Sequence, residues 1–209
     1  MSAPLVKICG LTDPRQAAAC AALGVWAIGV VLAGDSPRSV TPPQARAVTD
    51  ALPSGVARVG VVVDLDADAA ADLVGEAGLT HLQTHGHADV AAIRENAGVP
   101  VIEAFRVGGE ADLADARRSV ADLVLLDARV PGLHGGTGRA FDWGLVEREP
   151  LGRPFVLAGG LAPGNVADAV GRARPSHVDV SSGVERAPGD KDLAAVEAFV
   201  RAATGRVAA

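Results

Sequence analysis

The sequence predicts an α/β protein built as a single-domain (β/α)8 barrel. Three observations carry that reading. Eight short apolar runs recur along the 209 residues. Each is followed by an amphipathic or Ala-rich stretch, the alternation expected of parallel strands joined by crossover helices. No Pro/Ser linker or shift in composition divides the chain, so residues 1–209 read as one domain near the small end of the barrel's size range.

The expected strands are Leu5–Cys9, Val25–Leu32, Ala57–Val63, His81–Thr84, Val99–Phe105, Leu123–Asp127, Pro154–Ala158 and His177–Val180. The expected helices fall near 14–23, 42–51, 66–76, 88–96, 110–119, 142–148, 164–172 and 190–203. Asp13-Pro14 and Thr41-Pro42 each read as an N-cap followed by proline in the first helical position. The uncharged stretch Ala17–Gly34 approaches the length of a membrane span. Its first half is mostly Ala and its second half is β-branched and broken by Gly24 and Gly29. It reads instead as a helix end, a glycine stop and a strand buried on both faces.

Composition narrows the function. Hydrophobic residues make up 49% and charged residues 21%, enough for a large core and unlike a disordered chain. A net charge of −6, no basic tract and few aromatics argue against nucleic acid as a partner. MSAPLVKICG has one positive charge and no long apolar region, so no signal peptide is expected and the reading is cytoplasmic, without a membrane partner. The two cysteines, Cys9 and Cys20, are too few for a disulfide scaffold. His81, His87, His134 and His177 show no metal-ligand spacing, so no metal is expected.

In such a barrel, chemistry gathers at the C-terminal ends of the strands. Cys9 closes the first strand. Side chains alternate, so Lys7 and Cys9 share one face and Val6 and Ile8 the other. Cys9 is either a small buried hydrophobe or, with Lys7 favouring its thiolate, a reactive thiol. Asp127 ends the sixth strand after a run of Val and Leu, and reads equally as a general acid or as a cap on the next loop. Gly132, Gly135, Gly136 and Gly138 follow it, as a closing loop or a plain connector, without the ending of a nucleotide P-loop. Gly159-Gly160 and Ser181-Ser182-Gly183 follow strands seven and eight, the recurrent phosphate position of these barrels, each before an expected helix start. Arg38 could grip a carboxylate with two parallel hydrogen bonds or lie free on the surface. Gln83 and His85 share a face of strand four as polar groups at the mouth.

With these residues placed, the chain resembles the phosphoribosylanthranilate isomerase family of tryptophan biosynthesis. The likeness runs through KICGLT at 7–12, SPR at 36–38, VGVVVD at 59–64, LQTHG at 82–86, LLDAR at 125–129, GGTG at 135–138 with FDW at 141–143, LAGGLAPGNV at 157–166 and VDVSSGVERAPGDKD at 178–192. The resemblance implies a TIM barrel, no cofactor, a monomer or homodimer, and an Amadori rearrangement that converts N-(5-phosphoribosyl)anthranilate from an aminoaldose into an aminoketose. It implies Asp127 as the acid toward the furanose ring oxygen and Cys9 as the base toward the C2 proton. It places the phosphate on Gly160, Ser182 and Gly183 and the ring carboxylate on Arg38, with Lys7, Gln83, His85 and Gly136 as further substrate-binding residues.

Three departures stand out. Thr84 replaces a common Leu, which puts substrate positioning in question. Ala162 replaces an Asn before the proline of the seventh loop, a lost N-cap worth about 1 kcal/mol. VGVVVD lacks the aromatic and final Asn often present. Two rival readings differ at named positions. The histidine-pathway aldose–ketose isomerases carry Asp at the end of strand one, where this chain has Cys9. A silent sugar-phosphate binder would be free to lose Cys9 or Asp127, and both are present. Asp64, Asp66 and Asp68 after strand three would repel the second phosphate of the histidine-pathway substrate.

Overall fold

The structure is a computed structural model and describes residues 2–128 and 143–205. Eight parallel strands close into a barrel in sequential order, β1 Leu5–Cys9, β2 Ala27–Val31, β3 Ala57–Val63, β4 His81–His85, β5 Val101–Val107, β6 Leu123–Ala128, β7 Phe155–Ala158 and β8 His177–Val180. Helices α1 Pro14–Ala22, α2 Pro42–Asp50, α3 Ala70–Ala77, α4 Val90–Ala97, α5 Glu110–Arg118, α6 Trp143–Arg148, α7 Val166–Ala173 and α8 Leu193–Thr204 follow the strands in turn.

Local chemistry sets the helix ends. The Asp13 carboxylate accepts from the N–H groups of Arg15 (2.8 Å) and Gln16 (3.0 Å), and Pro14 opens α1. Thr41 and Gln44 exchange hydrogen bonds as a capping box at α2. Gly24, at φ 77°, turns the chain from α1 into β2. The uncharged stretch Ala17–Gly34 is thus helix end, turn and strand, and no helix among the described residues is long and apolar enough to cross a membrane.

Two apolar layers hold the barrel. Val6, Ile8, Ile28, Val30, Leu82 and Leu126 pack outward against the helices. Ala27, Ala57, Val59, Ile102, Leu125, Val156 and Ala158 fill the interior. At the lower end, Trp26 packs against the rings of His81 (5.7 Å between centroids) and His177 (4.5 Å). The alternation predicted for β1 holds, with Val6 and Ile8 outward and Lys7 and Cys9 inward. Gly29, beside Cys9 in the ladder, makes room for both, since a Cβ there would stand 2.9 Å from the Cys9 sulfur and 3.2 Å from Lys7 Cε.

Four expectations need correction. Strand five starts at Val101 instead of Val99, because Pro100 has no N–H to give the ladder. It also runs on to Val107 and includes Arg106. The segment expected as one helix from 66 begins as a 3-10 turn, Ala67–Ala69, before α3. The helix expected from 190 begins at Leu193, capped by Asp192, because β9 Glu185–Ala187 and β10 Asp190–Lys191 form a hairpin around Pro188-Gly189. The helix expected at 164 begins at Val166.

Thr84 also departs from expectation. It lies on the Leu82 face, opposite Gln83 and His85, and is 2% exposed. It therefore points into the outer layer and not at the mouth, so its replacement of Leu does not touch a ligand. Its Oγ1 is buried without a hydrogen-bond partner among the described residues. Thr84→Val keeps the shape and removes that hydroxyl. Urea unfolding should show a gain of about 1 kcal/mol, since an unpaired buried polar group costs about 1–3 kcal/mol. Turnover should be unchanged. A loss of stability would show that the hydroxyl has a partner.

Candidate active site

The strand ends converge on a cavity of about 300 Å³ at the C-terminal face of the barrel. Cys9, Gln83, His85, Asp127, Gly160, Ser182 and Gly183 all line it. Lys7 lies beneath, fully buried one pleat below Cys9. Arg38 belongs to the loop after β2, and Gly136 lies outside the described residues.

Asp179 of β8, which the sequence reading did not single out, also lines the cavity. Lys7 and Asp179 are neighbours in the β1–β8 ladder, and Lys7 Nζ donates to Asp179 Oδ2 at 2.8 Å. Breaking such a buried pair from one side costs about 3–5 kcal/mol. Burial pulls the Lys7 ammonium toward neutrality, but Asp179 and Cys9 outweigh it and its pKa ends above the ordinary value. The signal was present in the sequence, since a lysine inside a barrel needs a counterion and VDV alternation turns Asp179 inward.

Cys9 departs from expectation in one respect. Lys7 does favour its thiolate, as does Lys191 more weakly. Burial is the larger effect, Asp179 adds to it, and the thiol ends above its ordinary pKa. Cys20 packs inside the helix layer with no exposure, and burial pushes its thiol up to about 11. It is a packing residue.

Gln83 and His85 share the inner face of β4. The Gln83 amide donates to His85 Nε2 (2.8 Å), which leaves the ring proton on Nδ1. Burial first, then Lys7, pulls the His85 pKa down to about 4. The imidazole is therefore neutral across the physiological range. Arg106 adds to that effect, with Asp179 opposing. Arg106 sits on the inner face of β5 directly beside Asp127 in the ladder, a strand end to which the sequence reading gave no role.

Asp127 continues the inward face of Leu123 and Leu125 on β6, and sits at the top of the apolar interior. The loop after β7 turns through Gly159 and Gly160 at φ 83° and 66°. Asn165 braces it, accepting from Ala162 N–H (2.8 Å) and donating to the Gly160 carbonyl (2.9 Å). The N-cap of α7 is therefore Asn165 and not Ala162, and its side chain braces the loop instead of capping the helix N–H groups. After β8 comes a 3-10 turn, Ser182–Val184, well before α8. The N–H groups of Gly160, Ser182 and Gly183 donate to nothing among the described residues, so they remain open to an anion. Gly183 packs so closely on the Leu161 carbonyl that a Cβ would overlap it, which locks the two loops together.

Arg38 is not a free surface arginine. Its Nε reaches both Glu185 oxygens (2.9 and 3.1 Å) and its Nη2 reaches Oε2 at 2.5 Å. Glu185 also accepts from buried Lys191 (2.6 Å). Burial pushes the Glu185 pKa up, but Arg38 and Lys191 overcome it and the carboxyl ends below its ordinary value. The cluster carries two cations for one anion, and Nη1 of Arg38 has no hydrogen bond among the described residues. Elsewhere at the mouth, Gly108 and Gly109 spend their N–H groups on Asp112 (2.7 and 3.0 Å). Asp64 spends an oxygen on His87 N–H (2.7 Å).

These side chains and open backbone N–H groups gather at the C-terminal mouth of one barrel, where enzymes of the (β/α)8 class place their active sites. Residues 6–202 match the family model described as N-(5'-phosphoribosyl)anthranilate (PRA) isomerase. The chain belongs to that family. A relative of that name from Pseudomonas fluorescens is 45% identical over 205 residues, covering 97% of this chain and 99% of its own. The crystal structure of phosphoribosyl anthranilate isomerase from Thermotoga maritima superposes with a TM-score of 0.90 at 37% identity, covering 97% of this chain and 100% of that one. A further phosphoribosyl anthranilate isomerase, at TM-score 0.86, 35% identity and coverage of 97% and 100%, was solved with reduced 1-(o-carboxyphenylamino)-1-deoxyribulose 5-phosphate bound.

Proposed function

We propose that the chain isomerises N-(5'-phosphoribosyl)anthranilate to 1-(2-carboxyphenylamino)-1-deoxyribulose 5-phosphate, with Asp127 as general acid and Cys9 as general base. The observation that carries the assignment is the placing of both groups in the wall of one cavity that ends in open backbone donors. The phosphate sits on the N–H groups of Gly160, Ser182 and Gly183. Asp127 protonates the ring oxygen as the C1–O bond breaks, leaving an iminium at C1. That cation acidifies the C2 proton, which Cys9 removes to give an enolamine. The ketone forms when C1 is protonated and the C2 hydroxyl loses its proton. The cavity's apolar floor strengthens every charge interaction above it. Lys7 lies under Cys9 as a fixed cation, while Gln83 and neutral His85 form the polar wall toward β4. Gly136 is kept in this reading as a further substrate-binding residue. The enzyme acts in the cytoplasm as one barrel domain, monomeric or paired with a second copy, without nucleic acid.

The test is loss of anthranilate fluorescence on mixing purified enzyme with that substrate. No turnover would overturn the reading. The histidine-pathway substrate, with a phosphate at each end, should not react. The glycine pair after β5 has its donors occupied by Asp112, and acidic residues follow β3.

Arg38 holds the ring carboxylate through Nη1 while Glu185 fixes the other edge of the guanidinium. Arg38→Met should weaken binding of a reduced product analogue by roughly tenfold to a hundredfold, the worth of a charge-assisted hydrogen bond. Lys191 stays on Glu185 and limits the damage to the loop. An analogue without the ring carboxylate should lose far less. Equal losses for the two would remove Arg38 from that role.

A further inference from the structure

We propose that Asp179 is a third catalytic residue, whose Oδ1 takes the proton of the sugar C2 hydroxyl as the enolamine becomes the ketone. This rests on the isomerase reading above. That reading uses one acid and one base, and leaves the last proton without an acceptor.

Asp179 lines the cavity from β8 at only 8% exposure. Its Oδ2 is committed to Lys7 at 2.8 Å. Its Oδ1 is buried with no hydrogen-bond donor among the described residues. A buried carboxylate oxygen without a donor is an unfilled acceptor. It is in a cavity wall, so a ligand hydroxyl can fill it. The ion pair with Lys7 fixes the direction of the carboxylate. Asp179 pairs with Lys7 in the ladder, and Cys9 is the next inward residue toward the mouth. The two groups are close enough that the Asp179 charge acts on the Cys9 thiol.

The substrate's chemistry calls for that juxtaposition. C2 carries both the proton that Cys9 removes and the hydroxyl that becomes the carbonyl. A base that reaches the C2 proton needs a neighbour to reach O2. In the proposed step the O2–H bond breaks and its proton passes to Oδ1 of Asp179. The O2–H electron pair becomes the second C2–O bond. The C1–C2 π pair takes a proton from Cys9 and forms the new C1–H bond. Protons balance. Asp127 has given one to the ring oxygen, Asp179 has gained one, Cys9 has returned the one it took, and solvent exchange restores the two carboxyl groups.

Asp179→Asn keeps the shape and an acceptor oxygen but is far too weak a base. Turnover should fall at least about a hundredfold, within the usual range for a lost acid–base group. Cys9 should still remove the C2 proton. In D2O, deuterium should then enter C2 of recovered substrate at least ten times faster than product forms. Turnover above about a tenth of wild type would overturn the proposal. So would exchange that falls in step with turnover, since Asp179 would then act before the enolamine. Loss of Lys7's partner threatens the variant's fold, so a second arm uses the wild-type enzyme. The 2-deoxy form of the reduced product should bind about tenfold or more weakly than the parent, because Oδ1 loses its donor. Equal affinity would overturn the proposal. A wild-type enzyme without turnover would instead defeat the isomerase reading itself.

Discussion

Asp127→Asn should lower turnover by roughly 10²–10⁴-fold while the folded barrel and the binding of a reduced product analogue persist. Asn matches the carboxyl group in size and retains an acceptor, but it has no proton to give. Asp127 tops an inward face of Leu123 and Leu125, beside Ala158 and Arg106 in the ladder, so an isosteric change leaves the packing beneath untouched. Ring opening needs the proton because an alkoxide leaving into an apolar cavity would be an unpaired buried charge. The measurement is the rate of fluorescence loss at saturating substrate, with circular dichroism as the check on folding. A variant that kept more than about a tenth of wild-type turnover would fall short of the smallest expected loss, and the ring-oxygen proton would then come from elsewhere.

Sequence and structure agree wherever the deciding force is local. Caps at Asp13 and Thr41 are short-range hydrogen bonds, and the residues that make them are adjacent in the chain. Alternation along β1 was enough to turn Lys7 and Cys9 inward. The same rule, applied to β4, would have sent Thr84 outward with Leu82, and applied to β8 would have found Asp179. Those two misses lay in the use of the pattern. The Arg38–Glu185 clamp is different, because it joins residues 147 positions apart and nothing near Arg38 names its partner. The 185–191 hairpin was hidden because Pro188-Gly189 also fits a loop before a helix, and pairing was decided by β10 itself. The net state of Cys9 was beyond sequence altogether. It is a balance between burial, Asp179 and two lysines, and the sequence supplied only the lysine next door.

Cys9→Ala should also abolish most turnover, by roughly 10²–10⁴-fold, because nothing else at the end of β1 can take the C2 proton. The nearest groups on that face are Lys7, already protonated, and Asp179, whose open Oδ1 is assigned to the C2 hydroxyl and not to the C2 proton. The more searching result concerns when the thiol ionises. Burial and Asp179 favour the thiol and Lys7 and Lys191 the thiolate, with the thiol ahead, so the ionisation lies above the ordinary value of 9.0. Cys9 should therefore resist iodoacetamide at pH 7, and its alkylation rate should climb with pH toward a midpoint above 9.0. A Cys20→Ala background makes the reaction report on Cys9 alone. Lys7→Met should push the midpoint further up, since it removes the nearest cation. The substrate supplies what the thiol lacks. Ring opening sets a positive iminium one bond from the carbon to be deprotonated, and that charge favours the thiolate at the moment it is needed. A product analogue with a fixed cation at that nitrogen should accordingly draw the Cys9 midpoint down, as read by thiolate absorbance near 240 nm. Rapid alkylation at pH 7 in the unliganded enzyme would show that Lys7 outweighs burial after all. The base would then be ready before the substrate arrives.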